Sequence, residues 1–261
     1  MPILCRHYAA TGAGTGRLPL FLPYTLPMSG NSRPVTSNQD GIHPDLLRHL
    51  DRHRATPFRK PVSLHTRHAF ERMQAAWRQA GRPPLVLDAG CGVGWSTLAL
   101  AGRHPGHLVI GVDQSEERLQ RGPAARPDNP ANLLMLRADV VDFWRLMAAA
   151  GMTLSHHYLL YPNPWPRKQH LGRRWHGHPV FPVIIALGGR IECRSNWLLY
   201  MQEFATALQH LTGQAAEVQR WCPDPDAVLT PFEGKYLASG HSLWRCHADI
   251  PAVVLSAPVL P

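Results

Sequence analysis

No run of about 18 apolar residues occurs in this sequence, so a membrane-spanning helix is not expected. Cysteine is sparse. Cys5, Cys91, Cys193, Cys222 and Cys246 are odd in number and form no C-x-x-C pair, which argues against a zinc site or a disulfide framework. Reduced thiols in a cytoplasmic protein are the simpler expectation, with no metal. Acidic residues are also short, 18 Asp and Glu against 27 Lys and Arg, for a formal charge of +9. Sixteen histidines add positive charge below about pH 6.5. A surface this basic suits a polyanionic partner, and nucleic acid is the commonest. What is present is an ordinary apolar share, 44% of 261 residues, enough for one sizeable core. No internal repeat is visible.

Residues 1–27 are rich in Gly, Pro and Leu without a period, and Pro19 and Pro23 break the apolar stretch 18–26. This is a poor secretory signal. The segment is expected to be disordered, with Met28 a candidate start. Residues 28–63 are polar, proline-bearing and basic, and read as a flexible arm. From residue 68 the pattern changes. Helical spacing over 68–80 places Phe70, Met73 and Trp77 on one face. Strands are expected at 85–88, 108–113, 133–138, 155–161, 190–194, 216–221 and 242–249, with helices at 96–103, 141–150, 180–187 and 197–211. Strands alternating with helices predict an α/β domain over 64–250, with a mostly parallel seven-stranded sheet covered on both faces and a tail at 251–261. His156 and His157 fall mid-strand, one expected in the core and one against a helix. The His176-Gly177-His178 pair is too weak a pattern to predict a metal.

The segment from Val86 to Trp95 follows a strand and opens a helix. Gly90, Gly92 and Gly94 let the backbone turn sharply and approach a ligand closely. This is GxGxG, not the GxGxxG of dinucleotide enzymes. The acidic Asp88 before it suits a cation rather than a pyrophosphate. Asp113 ends the next strand, where a carboxylate accepts from ribose hydroxyls, with Gln114 beside it. Asp139 follows Ala138 at the third strand end, placed to accept from an adenine amine. Three acids at successive strand ends form a pattern for the aminoacyl, ribose and base parts of S-adenosylmethionine. Together these residues resemble the class I methyltransferases, a Rossmann-like family.

The most specific stretch is Tyr161-Pro162-Asn163-Pro164-Trp165-Pro166-Arg167-Lys168-Gln169-His170-Leu171-Gly172-Arg173-Arg174. Prolines stiffen the loop after a strand, Asn163 and Trp165 can meet a planar base, and four cations follow. The stretch resembles the PDPWPKKRHxKRR signature of the tRNA (guanine-N7-)-methyltransferase family of the bacterial TrmB type. Residues 32–39, the Ser195-Asn196-Trp197 segment with Tyr200, and Thr230-Pro231-Phe232-Glu233 with Gly240 resemble three further family segments, in the same order. The resemblance implies S-adenosylmethionine as cofactor and transfer of its methyl group to N7 of a guanine in tRNA. It implies that Asp88, Gly90, Gly92, Gly94, Asp113, Gln114, Ala138 and Asp139 hold the cofactor. Arg167, Lys168, Arg173, Arg174, Asn196, Thr230, Phe232 and Glu233 would hold RNA, with Asn163 at the reacting base and the arm folding over the RNA. The chain is expected as a monomer or homodimer. Asn163, Asn196 and Pro231 replace the family's Asp, Asp and Lys, so two acceptor-only carboxylates become amides that also donate. Methylation of an exocyclic amine, a small-molecule substrate, or cofactor and RNA binding without catalysis are the alternatives.

Overall fold

The computed structural model describes residues 30–56, 58–123, 128–224 and 227–253. The expectations for residues 1–27, and most of the expected tail, lie outside the described residues. Among the described residues seven strands run β1 (Leu85–Ala89), β2 (Leu108–Asp113), β3 (Leu133–Arg137), β4 (His156–Leu160), β5 (Gly189–Ser195), β6 (Glu217–Trp221) and β7 (Leu243–Ile250). They form one sheet in the order β3-β2-β1-β4-β5-β7-β6. The first five are parallel, whereas β7 is antiparallel to both β5 and β6. The chain thus crosses over between β3 and β4, and ligands in open α/β sheets bind outside the strand C-termini at such a reversal.

Alternation along the strands decides what faces what. Leu85, Leu87, Leu108, Ile110 and Val112 join the main core with α2 (Leu64–Gln79), α5 (Val140–Ala149), α6 (Phe181–Ala186) and α7 (Leu198–Thr212). Val86 and Val109 pack on the other face against Leu100 and Ala101 of α3 (Trp95–Arg103). Gly111 is needed there. A Cβ on it would lie 2.5 Å from Thr97 Oγ1 and 2.7 Å from Met135 Sδ.

The expected flexible arm is corrected. Residues 46–55 form a helix, α1 (Leu46–Ala55), with Leu46 and Leu50 fully buried in the main core. Two leucines one turn apart among basic residues gave too narrow an apolar stripe to read as helix. Two further short helices were also not expected, α4 (Glu116–Arg121) and α8 (Pro231–Ala238). Each begins at a side-chain cap, Ser115 accepting from Arg118 N and Thr230 from Glu233 N. Among the described residues Cys91, Cys193 and Cys246 are buried free thiols. His157 is the core histidine of its pair and accepts from Trp144 Nε1 at 3.0 Å.

Candidate active site

Asp88 has the same strand parity as Val86, so it faces α3 directly behind the glycine turn. Gly90 and Gly92 have φ of +77° and +60°, and Gly94 caps α3 at +81°. A Cβ at Gly90 or Gly92 would meet nothing within 4 Å, so the demand on them is conformational rather than steric. The carboxylate of Asp88 is 1% exposed and accepts from Ser96 Oγ at 2.6 Å and Thr97 Oγ1 at 2.7 Å. Burial lifts its pKa to about 6 against the pull of those hydroxyls. Asp113 closes the turn from β2. Its Oδ2 accepts from Gly92 N at 2.9 Å and its Oδ1 from Ser115 N at 2.8 Å. Each oxygen keeps a second lone pair. Gln114 stands exposed beside it, and Ala138, fully buried, donates its N–H to the Asp113 carbonyl.

Asp139 reaches the third strand end as expected, but its carboxylate is committed elsewhere. One oxygen caps α5 through Val141 N and Asp142 N, and the other pairs with Lys60 at 2.7 Å. Burial raises its pKa, and Lys60 with the two amides overcomes that and lowers it. Its Oδ2, which accepts from Lys60 alone and is part-exposed, keeps a second lone pair.

The Pro-Asn-Pro-Trp-Pro loop leaves the end of β4 at the same edge. Tyr161 and Trp165 hold left-handed φ of +53° and +44°, a conformation that costs an L-residue roughly 1 kcal/mol or more. Asn163 is exposed, and its Oδ1 accepts from Trp165 N at 3.2 Å. Arg173 lies 4.7 Å over the Trp165 ring. Arg167, Lys168 and Arg173 point to solvent.

Arg174 does not. It is fully buried and binds Glu203, Gln39 and the carbonyls of Trp165 and Arg167. Glu203 on α7 also accepts from His43 N, Gln39 Nε2 and His176 Nε2. The expected phosphate role of Arg174 is thus corrected to that of an internal tie. Residues 32–39 are bound to the same loop, with Ser37 Oγ donating to Pro166 O and Asn38 Oδ1 accepting from Lys168 N. The arm is a fixed wall of the site rather than a free strap.

Glu233 is corrected likewise. It is fully buried and accepts from Tyr161 Oη at 2.7 Å, Arg194 Nη1 at 2.8 Å, Trp221 Nε1 at 2.9 Å and Leu229 N at 2.7 Å. A carboxylate with these four donors holds the loop to α8 and cannot face a base. Thr230 is the helix cap. Phe232 is 57% exposed and stacks on Tyr236, which stacks on His241 at 5.4 Å. His241 in turn meets Asn196 Nδ2 at 3.0 Å. Tyr236 and His241 were missed in the sequence. The signal was aromatic spacing at Phe232 and Tyr236, visible only once a helix is assigned there.

A family model described as "Putative methyltransferase" matches residues 82–246, which runs from the strand before the glycine turn to the last strand. The chain belongs to this methyltransferase family. Among similar curated proteins is the tRNA (guanine-N(7)-)-methyltransferase of Burkholderia thailandensis, 28% identical over 62% of this chain and 63% of that protein. The enzyme of the same name from Mycobacterium avium is 38% identical over 57% of this chain and 56% of its own length. The match therefore spans less than two thirds of these relatives. Solved structures of similar fold include one named as an antibiotic-related methyltransferase, 14% identical with a TM-score of 0.51 over 73% of this chain and 97% of that one. Another is the 16S rRNA methyltransferase KamB, 18% identical with a TM-score of 0.50 over 73% and 96%. Both have the Rossmann-like fold expected from the strand order.

Proposed function

We propose that this methyltransferase transfers the methyl group of S-adenosylmethionine to N7 of a guanine in tRNA, in the cytoplasm. The observation that carries the reading is one strand edge holding both the glycine turn, clasped by Asp88 and Asp113, and the stiff Asn163–Trp165 loop with exposed cations beside it. The residues fit the cofactor. A buried carboxylate whose pKa is lifted to about 6 holds negative charge without a basic partner among its contacts, which suits a cationic ligand. When bound, the sulfonium supplies a methyl group to an in-line attack, its S–C electron pair returning to sulfur.

Guanine N7 attacks with an in-plane lone pair and loses no proton, so no residue is required as a base. The chain's work is alignment, which can supply about 7–11 kcal/mol. Asp113 holds the ribose through its free lone pairs. Phe232 offers an exposed ring for base stacking, Asn163 and Asn196 offer amides to base edges, and Arg167, Lys168 and Arg173 face phosphates. The names of the relatives support tRNA as substrate.

The test is labelled methyl transfer to unmodified tRNA, with the digested nucleosides identified by mass spectrometry. 7-Methylguanosine is expected. A base methylated on an exocyclic amine would replace this reading, and no transfer with intact cofactor binding would mark a binding protein. A second prediction concerns Asp88. Its folded pKa lies above its usual 3.8, so the folded state binds the extra proton and stability falls as pH rises from about 4 to about 6. Asp88→Asn is therefore expected to stabilise the chain at pH 7.5 by on the order of 2 kcal/mol while weakening cofactor binding. Thermal melts and calorimetry read the two effects. A variant less stable at pH 7.5 than the wild type overturns the assignment.

A further inference from the structure

The opposite edge of the sheet carries a second cluster that the methyltransferase reading does not use. His104 ends α3, His107 precedes β2, and His156 is the first residue of β4. β1 lies between β2 and β4 in the sheet, so these residues flank its N-terminal end. About 13 Å of strand separates them from the glycine turn, at ~3.3 Å per residue.

The three imidazoles converge. Ring centroids are 4.4 Å apart for His104 and His156, 5.2 Å for His104 and His107, and 5.8 Å for His107 and His156. One ring nitrogen from each lies within 4.8 Å of the other two. All three rings are half-buried. The His104-Pro105-Gly106-His107 turn is held from below, because Asn132 Nδ2 donates to the carbonyls of Ala101, His104 and His107 at 3.1 Å each. Tyr158 Oη lies 3.2 Å from His104 Nε2 and Ser155 Oγ lies 3.3 Å from His156 Nδ1. Hydroxyls placed on ligating histidines orient the rings. Among the described residues His107 Nδ1, like six other side-chain nitrogens, is buried with no hydrogen-bond partner, so no internal contact competes for it. The nearby Arg190 is held by Asp249 at 3.3 Å.

We propose that His104, His107 and His156 form a binding site for a borderline divalent cation, of which zinc is the type, remote from the methyl-transfer site. Three neutral imidazoles suit zinc, copper or nickel rather than magnesium or calcium. Tetrahedral zinc with bonds of about 2.0–2.1 Å sets its nitrogens about 3.3 Å apart. The rings must then close by on the order of 1 Å, within reach of side-chain rotation at a half-buried edge. A fourth position remains for water, and the ion would tie the α3–β2 turn to β4.

The test uses the full chain without a histidine tag, titrated with Zn(II) by calorimetry and with Co(II) by visible absorption. One equivalent of Zn(II) is expected to bind with Kd below about 10 μM, raising Tm, while Mg(II) does neither. His104→Ala and His156→Ala are each expected to weaken binding by about tenfold or more, and His68→Ala, at an exposed helix position, to leave it unchanged. Circular dichroism of the metal-free variants checks their fold. Should either fail to fold, His107→Gln carries the comparison, and the d–d band of the wild-type Co(II) form reports tetrahedral coordination by itself. No saturable Zn(II) binding below about 100 μM, or binding of equal strength in the histidine variants, overturns the proposal.

Discussion

Glu203→Ala is expected to destabilise the chain by about 3–5 kcal/mol, enough to unfold many domains of this size at 37 °C. The carboxylate is fully buried and accepts from Arg174, His176, Gln39 Nε2 and His43 N. Removing it strands the Arg174 guanidinium in a dry interior. Burial alone would raise the Glu203 pKa, but the His176 hydrogen bond and the charges of His176 and Arg174 overcome this and take it down to about 2. A carboxyl held below its usual value stabilises the fold above about pH 4.5, and that stability is lost as pH falls from there toward 2. Urea melts at pH 7 and pH 3 read the difference. Glu203→Gln keeps the shape and removes the charge, so it should recover only part of the loss. Replacing Glu203 and Arg174 together with Met should cost less than Glu203→Ala alone, since the Arg174 charge is then not left unpaired and burial, which lowers the His176 pKa, keeps that ring neutral at pH 7. Equal stability of Glu203→Ala and wild type at pH 7 would contradict the role given to the buried tie.

Asp113→Ala is expected to weaken S-adenosylmethionine binding by about 30-fold or more, the equivalent of ~2 kcal/mol. Two hydrogen bonds to a charged acceptor shape the turn, one donated by Gly92 N and one by Ser115 N. Each is worth about 1.5–3 kcal/mol. Losing them frees the glycine turn and also removes the ribose acceptor. Asp113→Asn keeps one carbonyl oxygen and should fall between. Calorimetric titration checks the order wild type, Asn, Ala. Affinity unchanged in the Ala variant would remove Asp113 from the cofactor site.

The sequence was most informative where a pattern is local. The strand at 108–113 and the helix opening at the glycine turn follow from a short apolar run and from three glycines at spacing two, and both stand where expected. Asp88 and Asp113 were legible for the same reason, since a strand end fixes where its last side chains lie. Arg174 and Glu233 were misread for the opposite reason. A cation among exposed cations looks solvated, and nothing nearby in sequence announces Glu203, 29 residues on. Glu233, on α8, depends on Tyr161 from the loop after β4 and on Arg194 from β5.

Sequence alone determined the α/β alternation, the glycine turn and the acids behind it, because backbone conformation and strand parity depend on near neighbours. Tertiary structure decided the antiparallel place of β7, the burial of α1, and which charges face water. Those outcomes rest on pairings across long stretches of chain, where the cost of burying a charge is settled by a partner that only folding brings near.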